Sequence, residues 1–303
     1  MGYNCVVLVK EVPDTKRITG QAMNEDGTVN RGALPSIFNP EDRNALELAL
    51  QIRDRFGGTV TAICMGRPAA CEILRQALFQ GADRAILLTD RRAAASDTLA
   101  TSYILNCAVR KLGKVDIVLC GRQAIDGDTA QTGPQLAEKL GLPQITYVEE
   151  LRGLEDGLLQ VKRNVGNGYE VVECKLPVLM TVLDSNLPRP QAAKRIMKFK
   201  KARCRAELEQ AVAAELATAE PAVRSAEVEA RAATLVGKGL LIDQWNLDDI
   251  QADLAWCGRD GSPTKVHRIQ SVVLTGKGYK QVEPTDEGIA TLIGELVEDH
   301  TIG

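Results

Sequence analysis

A chain of 303 residues is long enough for one large α/β domain or two modest ones. A formal net charge of −3, with 45% hydrophobic and 25% charged residues, is ordinary for a soluble globular protein and leaves no global basic field for nucleic acid. Eight cysteines without a C-x-x-C pair read as buried thiols in a reducing compartment, and with only His267 and His300 present a zinc or iron–sulfur centre and a Ser-His triad are disfavoured.

In chain order, "CVVLVK" (residues 5–10) is a near-continuous apolar strand of the kind buried on both faces. It is preceded by no cationic leader, and no apolar run approaches ~18 residues, so a cytoplasmic protein without membrane insertion is expected. "NPEDRNALELALQIRDRFGG" follows as a helix. Asn39 is its expected N-cap, Pro40 fits the first turn, Asp42 suits the positive helix end, and Gly57-Gly58 stop it. Ala45, Leu48 and Ala49 mark its apolar face. "TVTAICMG" (59–66), "RAILLTD" (84–90), "VDIVLCG" (115–121) and "PQITYV" (143–148) are further strands. Between them "CEILRQALFQGAD" and "SDTLATSYILNCAVRKLG" are helices, the latter capped by Ser96 or Asp97. This alternation implies a doubly wound, mostly parallel sheet with helices on both faces.

From Val148 the rhythm changes. Alternating segments split by "EDG" and "GNG" signal hairpins, an antiparallel excursion after which "PVLMTV" (177–182) rejoins the main sheet. "NLPRPQ" is loop, because Pro188 and Pro190 block a helix. The basic stretch "KRIMKFKKARCR" is a solvated segment rather than a nucleic-acid patch, since stacking aromatics are nearly absent. Beyond Lys201, "RAELEQAVAAELATAE" is helical, and an amphipathic helix near 286–299 closes the chain. The expected division is an α/β nucleotide-binding domain over residues 1–200 and an extended C-terminal arm over 201–303, too segmented for its own core.

No P-loop pattern occurs. "TGKGY" at Thr275 and "VGNGY" at Val165 lack the third glycine of a Rossmann fingerprint and are turns. "GRQAIDGDTAQTGPQ" is better placed, since it leaves a buried strand at the carboxyl end where α/β folds bind ligands. Thr132 and Gln135 match a capping box with Pro134 inside the first turn, and a helix N-terminus suits phosphate. Gly127 and Ala130 let the backbone approach an anion, while Thr129 and Thr132 add hydroxyls. Asp126 and Asp128 would repel phosphate unless they brace the loop by accepting backbone N–H bonds. A D-x-D magnesium site is the competing reading, without companion carboxylates. On the residues alone, a phosphate cradle and a plain capped turn both stand.

The segment "CGRQAIDGDTAQTGPQLAEKLGLPQITYVEEL" strongly resembles the signature of the electron transfer flavoprotein β subunit. "VLVKEVPDT", "FNPEDRNALELALQIRD", "LDSNLPRPQAAKRIMKFKKA" and "GSPTKV" are also similar, in the family's order. The resemblance implies an adenine-nucleotide-binding type of α/β fold and a heterodimer with an FAD-bearing α subunit. It further implies a second nucleotide on the β subunit, either AMP or, in members that bifurcate electrons from NADH, FAD. Carried over residue by residue, the implied cofactor site is Val9, Lys10, Glu11, Asn39, Cys64, Met65, Gly66, Gly121, Gln123, Asp128, Thr129, Ala130, Gln131 and Thr132. AMP-binding members tend to have a bulkier Asp-Cys-Asn where this chain has "DTA", so the resemblance favours FAD and the bifurcating type. It also implies that a dehydrogenase docks through the loop around Leu187–Ile196. The family's aromatic and leucine anchors are replaced there by Pro190 and Ala193. Residues 204–240 have no clear counterpart.

Overall fold

The computed structural model describes residues 2–14, 34–265 and 281–298. Thr15, Val266, His267, the turn at Thr275, Asp299 and His300 lie outside the described residues.

Strand β1 (Tyr3–Leu8) leads into a small antiparallel ribbon, β2 (Glu11–Pro13) with β3 (Ser36–Phe38). Helix α1 (Pro40–Phe56) then starts behind Asn39 with Pro40 in its first turn and ends at Gly57. Its expected apolar face is real: Ala45, Leu48 and Ala49 are all at 0% exposure. Strand β4 (Gly58–Met65), helix α2 (Cys71–Gln80), strand β5 (Arg84–Leu88) and helix α3 (Thr98–Lys111) continue the alternation. Of the two candidate caps for α3, Asp97 is the one used, accepting the Ala100 N–H at 2.9 Å. Strand β6 (Ile117–Gly121) and helix α4 (Thr132–Leu140) follow.

The hairpin signals after Val148 are answered by β7 (Gln144–Glu155), β8 (Leu158–Asn164) and β9 (Tyr169–Lys175), paired antiparallel. Strand β10 (Val178–Val182) rejoins the main sheet between β6 and β7. After α5 (Ala193–Phe199) come α6 (Arg205–Glu215), α7 (Pro221–Gly237), β11 (Asp243–Trp245) and α8 (Asp286–Glu298).

The result is a nine-stranded sheet in the order β11-β5-β4-β1-β6-β10-β7-β8-β9, parallel from β11 to β7. Pleating splits its apolar side chains between two layers. Cys5 and Val7 pack toward α1 and α2, whereas Val6 and Leu8 pack toward α3 and α4. Strand β11 escaped the sequence reading because three half-buried residues carry no period. Helices α6 and α7 close on each other over Leu208, Val212, Val228 and Ala232. Among the described residues no helix is long and apolar enough to cross a membrane.

Candidate functional site

Parallel register brings the carboxyl ends of three strands together. Leu8 pairs with Ile63, and Val7 with Leu119. Val9, Lys10 and Glu11 leave β1 on the edge where Cys64, Met65 and Gly66 end β4 and where the loop from Gly121 to Thr132 leaves β6.

Asn39 does not cap α1 with its side chain, contrary to expectation. Fully buried, it crosses to the loop instead. Its Nδ2 donates to the Gln123 carbonyl at 2.9 Å, and its Oδ1 accepts the Ile125 N–H at 3.2 Å. Its own N–H donates to the Lys10 carbonyl at 3.0 Å. The residue therefore ties the β1 end, the start of α1 and the loop into one unit.

Two carboxylates that sequence reasoning missed complete this brace. Glu41 accepts the Gln123 N–H at 2.9 Å and the Arg122 guanidinium at 2.8 Å. Asp42 accepts the Lys10 N–H at 2.9 Å and the Gly121 N–H at 3.0 Å. The sequence had placed Asp42 as a charge at a helix start; the structure shows it buried. That burial pushes its carboxyl up to about 7, against the opposing pull of the bonds from Asn39, Gly121 and Lys10. Gly121 is required here, because a Cβ would lie 2.6 Å from the Glu41 Cβ and 2.7 Å from the Asp42 Oδ1.

The two loop aspartates are occupied. Lys10 Nζ sits 2.7 Å from Asp126, and Gln123 Nε2 donates to Asp128 Oδ1 at 2.9 Å. They do brace the loop, through the Lys10 ammonium and the Gln123 carboxamide. Neither belongs to a metal-type cluster among the described residues. Asp128 and Ala130 take left-handed backbone, with φ of 49° and 52°. Gly127 faces open space, and Thr129 is exposed.

The expected capping box on α4 is not formed. Gln131 already has helical backbone, so Thr132 is the first helical residue and no side chain caps the helix. Gln131 Oε1 instead accepts the Thr98 hydroxyl at 3.0 Å. The first-turn N–H groups of α4 thus keep the donor capacity that suits an anion. On α4 Gln135 Oε1, and at the end of β6 Arg122 Nε, are buried without a hydrogen-bond partner. The uncapped N–H donors, with a small-residue loop, are a donor set that fits a nucleotide phosphate, whereas Gln135 Oε1 is an acceptor and asks for a donor instead. The thiols nearby are inert, since burial pushes Cys64 up to about 12 and raises Cys120 as well.

The loop near the other end of α1 is also pinned. Arg189 holds Glu47 at 2.8 Å and Asp54 at 2.6 Å, and Arg195 donates to the Leu78 carbonyl at 2.6 Å. Between these anchors Pro190 and Ala193 are exposed, and Leu187 before them is 81% exposed.

Fold and site together define a doubly wound α/β fold with its candidate ligand region beyond the carboxyl ends of the parallel strands, where such folds bind ligands. Comparison with known proteins narrows this class. The electron transfer flavoprotein domain matches residues 26–234. The electron transfer flavoprotein subunit beta of Clostridium acetobutylicum is 40% identical over 301 residues, 99% of this chain and 100% of that one. The caffeyl-CoA reductase–Etf complex subunit CarD of Acetobacterium woodii is 39% identical over 300 residues, 98% of this chain and 99% of its own. The acryloyl-CoA reductase electron transfer subunit gamma of Anaerotignum propionicum is 46% identical over 187 residues, covering 61% of this chain and 69% of that protein. The chain belongs to the electron transfer flavoprotein family, in the β-subunit role.

Proposed function

We propose that this β subunit binds FAD beside the loop after β6, pairs with an electron transfer flavoprotein α subunit, and takes part in NADH-dependent electron bifurcation. The acceptors in this reading are a dehydrogenase partner and a low-potential carrier. The observation that carries it is the loop of residues 127–130, where Gly127 faces open space and small Ala130 holds left-handed backbone. A loop of small residues at this point supports the reading of a ligand larger than AMP. The names of two relatives, subunits of a caffeyl-CoA and an acryloyl-CoA reductase system, favour the same direction.

The phosphates would lie against the uncapped start of α4, held by Gln131, Thr132 and the N–H groups of Thr129 and Ala130, the Asp128 N–H being spent on the Ala124 carbonyl at 3.0 Å. The rest of the nucleotide would lie over Val9, Lys10, Glu11, Asn39, Cys64, Met65, Gly66, Gly121 and Gln123. Bound FAD supplies two-electron acceptance and one-electron release; the protein supplies placement, electrostatics and exclusion of water. The Lys10–Asp126 pair lets an ammonium stand near the phosphates while its partner carboxylate is neutralised. The loop around Leu187–Ile196 would dock the dehydrogenase, with Leu187 as its apolar contact. The arm from residue 201 would pack on the α subunit, where α8 offers the row Ile289, Leu292, Ile293 and Val297, all exposed.

The test is co-expression with the α subunit, followed by release and counting of FAD and AMP per heterodimer. Two FAD without AMP supports the proposal. One FAD with one AMP replaces it by the AMP-binding reading, in which electrons pass only through the α-subunit FAD. No nucleotide on the β subunit overturns the cradle itself.

A further inference from the structure

The contact between α2 and α6 holds two cysteines and a carboxylate that the nucleotide crevice does not use. Cys71 opens α2, Cys204 stands at the N-cap of α6, and Glu207 lies in the first turn of α6. Both cysteines are at 0% exposure and Glu207 is half-buried. The two Sγ atoms and one carboxylate oxygen all lie within 4.8 Å of one another. Among the described residues no other group of three His, Cys, Asp or Glu side chains meets so closely.

The choice of sulfur at this helix start asks for a reason. Helices are ordinarily capped by Ser, Thr, Asp or Asn, because a neutral thiol is a weak acceptor. Yet Cys204 accepts the Glu207 N–H on its sulfur, while the Glu207 carboxylate accepts the Cys204 N–H at 3.2 Å. A thiolate makes that cap properly, and a second sulfur stands beside it. Arg75 lies against the same cluster. Its guanidinium donates to both Glu207 oxygens at 2.9 Å and to the Ala202 carbonyl at 3.2 Å. Two thiolates and one carboxylate carry three negative charges, and Arg75 with one divalent cation returns the cluster to neutrality. Glu72, on the other side of the guanidinium, is exposed and solvated.

We propose that Cys71, Cys204 and Glu207 form a binding site for a thiophilic divalent cation of the zinc class. Two sulfurs select against magnesium and calcium, which take oxygen ligands. Three protein ligands leave a fourth tetrahedral position for water, on the side where Glu207 reaches solvent. Binding displaces the two thiol protons to solvent and involves no change of oxidation state. The ion would clip the sheet domain, through α2, to the start of the α6–α7 pair.

The full chain, reduced and stripped of metal under anaerobic conditions, would be titrated with Zn²⁺ against a chromophoric chelator. A parallel titration with Cd²⁺ would follow the thiolate-to-metal charge-transfer band in the ultraviolet. One ion per chain is expected. Cys71→Ser and Cys204→Ser should each weaken Zn²⁺ by at least about 100-fold and remove half or more of the Cd²⁺ band. Glu207→Gln should weaken binding about 10-fold and keep the band. Serine is itself a preferred cap, so Cys204→Ser preserves the helix start, which circular dichroism would check. Absence of uptake by the reduced wild type, or uptake that survives in the double serine variant, overturns the proposal. So does a Cys71–Cys204 disulfide in the freshly isolated chain, which would make the pair a redox couple instead.

Discussion

The loop after β6 and the α6–α7 pair are held by opposite means. The loop has little apolar burial of its own and is fixed by Asn39, Glu41 and Asp42, whose bonds end on backbone groups of Gly121, Gln123 and Ile125. The helix pair closes over four buried apolar residues and, Glu207 at the start of α6 apart, wears its charges outside, as in Arg231 with Glu215 and Glu227 at 2.7 Å each. Removing a partner from a buried polar group leaves that group desolvated and unpaired, whereas an exposed ion pair exchanges its partner for water. The crevice should therefore be brittle and the helix pair forgiving.

The largest effect is expected at Gly121. Alanine there puts a methyl group 2.6 Å from the Glu41 Cβ and 2.7 Å from both the Asp42 Oδ1 and the Glu41 carbonyl carbon. Since backbone is among the atoms struck, α1 must move and the Asp42 bond to Gly121 breaks. Overpacking and a lost buried bond together put the cost at roughly 5 kcal/mol. Urea unfolding of Gly121→Ala would measure it, and an unchanged midpoint would show that the α1–β6 approach is slack.

Asp42 comes next, through pH. Burial raises its carboxyl to about 7, so the folded state holds a proton over a range where the unfolded chain has released it. Its contribution to stability is then fully present below about pH 4 and is lost as pH rises through about 7, by at most about 4 kcal/mol. Unfolding of wild type and Asp42→Asn compared across that window should differ in slope, the wild type falling more steeply. Parallel profiles would mean that the bonds from Lys10, Gly121 and Asn39 keep the carboxylate ionised.

That buried carboxylate also marks where the sequence stops speaking. The parallel sheet was legible because "CVVLVK" and "VDIVLCG" are unbroken apolar runs, and the antiparallel excursion because "EDG" and "GNG" punctuate it. The loop after β6 was legible as a position, at the end of a buried strand. Its brace was not. An acidic pair after Pro40 satisfies the helix dipole equally well when exposed, and nothing local says that Asp42 faces inward toward Gly121. The start of α4 was misread for a related reason: Thr132 and Gln135 match a cap pattern, but Gln131 holds the cap position and Thr132 is already helical. Cys71 and Cys204 are far apart in sequence, and only the packing of α2 on the start of α6 makes them neighbours.

Asn39 tests the brace with a smaller loss. Asn39→Ala leaves the Gln123 carbonyl and the Ile125 N–H without partners, at about 2–3 kcal/mol. Asn39→Asp keeps the acceptor for Ile125 but sets a buried carboxylate oxygen against the Gln123 carbonyl and beside Asp42, so it should cost more than alanine when the two are unfolded side by side. Equal losses would indicate that water replaces both bonds, and the loop would then be held mainly by Glu41 and Asp42.

The smallest effect belongs to the helix pair, where the comparison is easiest to break. Arg205 bridges Glu209 at 3.2 Å and also contacts Glu229 across to α7, with all three side chains about half exposed. Holding long side chains in place costs entropy that the screened attraction barely offsets. Arg205→Ala should therefore shift the thermal midpoint by no more than about 1 °C, and added salt should leave the difference unchanged. Val212→Ala is the matched control: Val212 is fully buried in the α6–α7 cluster, and truncating it should lower the midpoint by several times as much. If the arginine proved costlier than the valine, the pair would be an electrostatic clamp, and its contrast with the braced crevice would disappear.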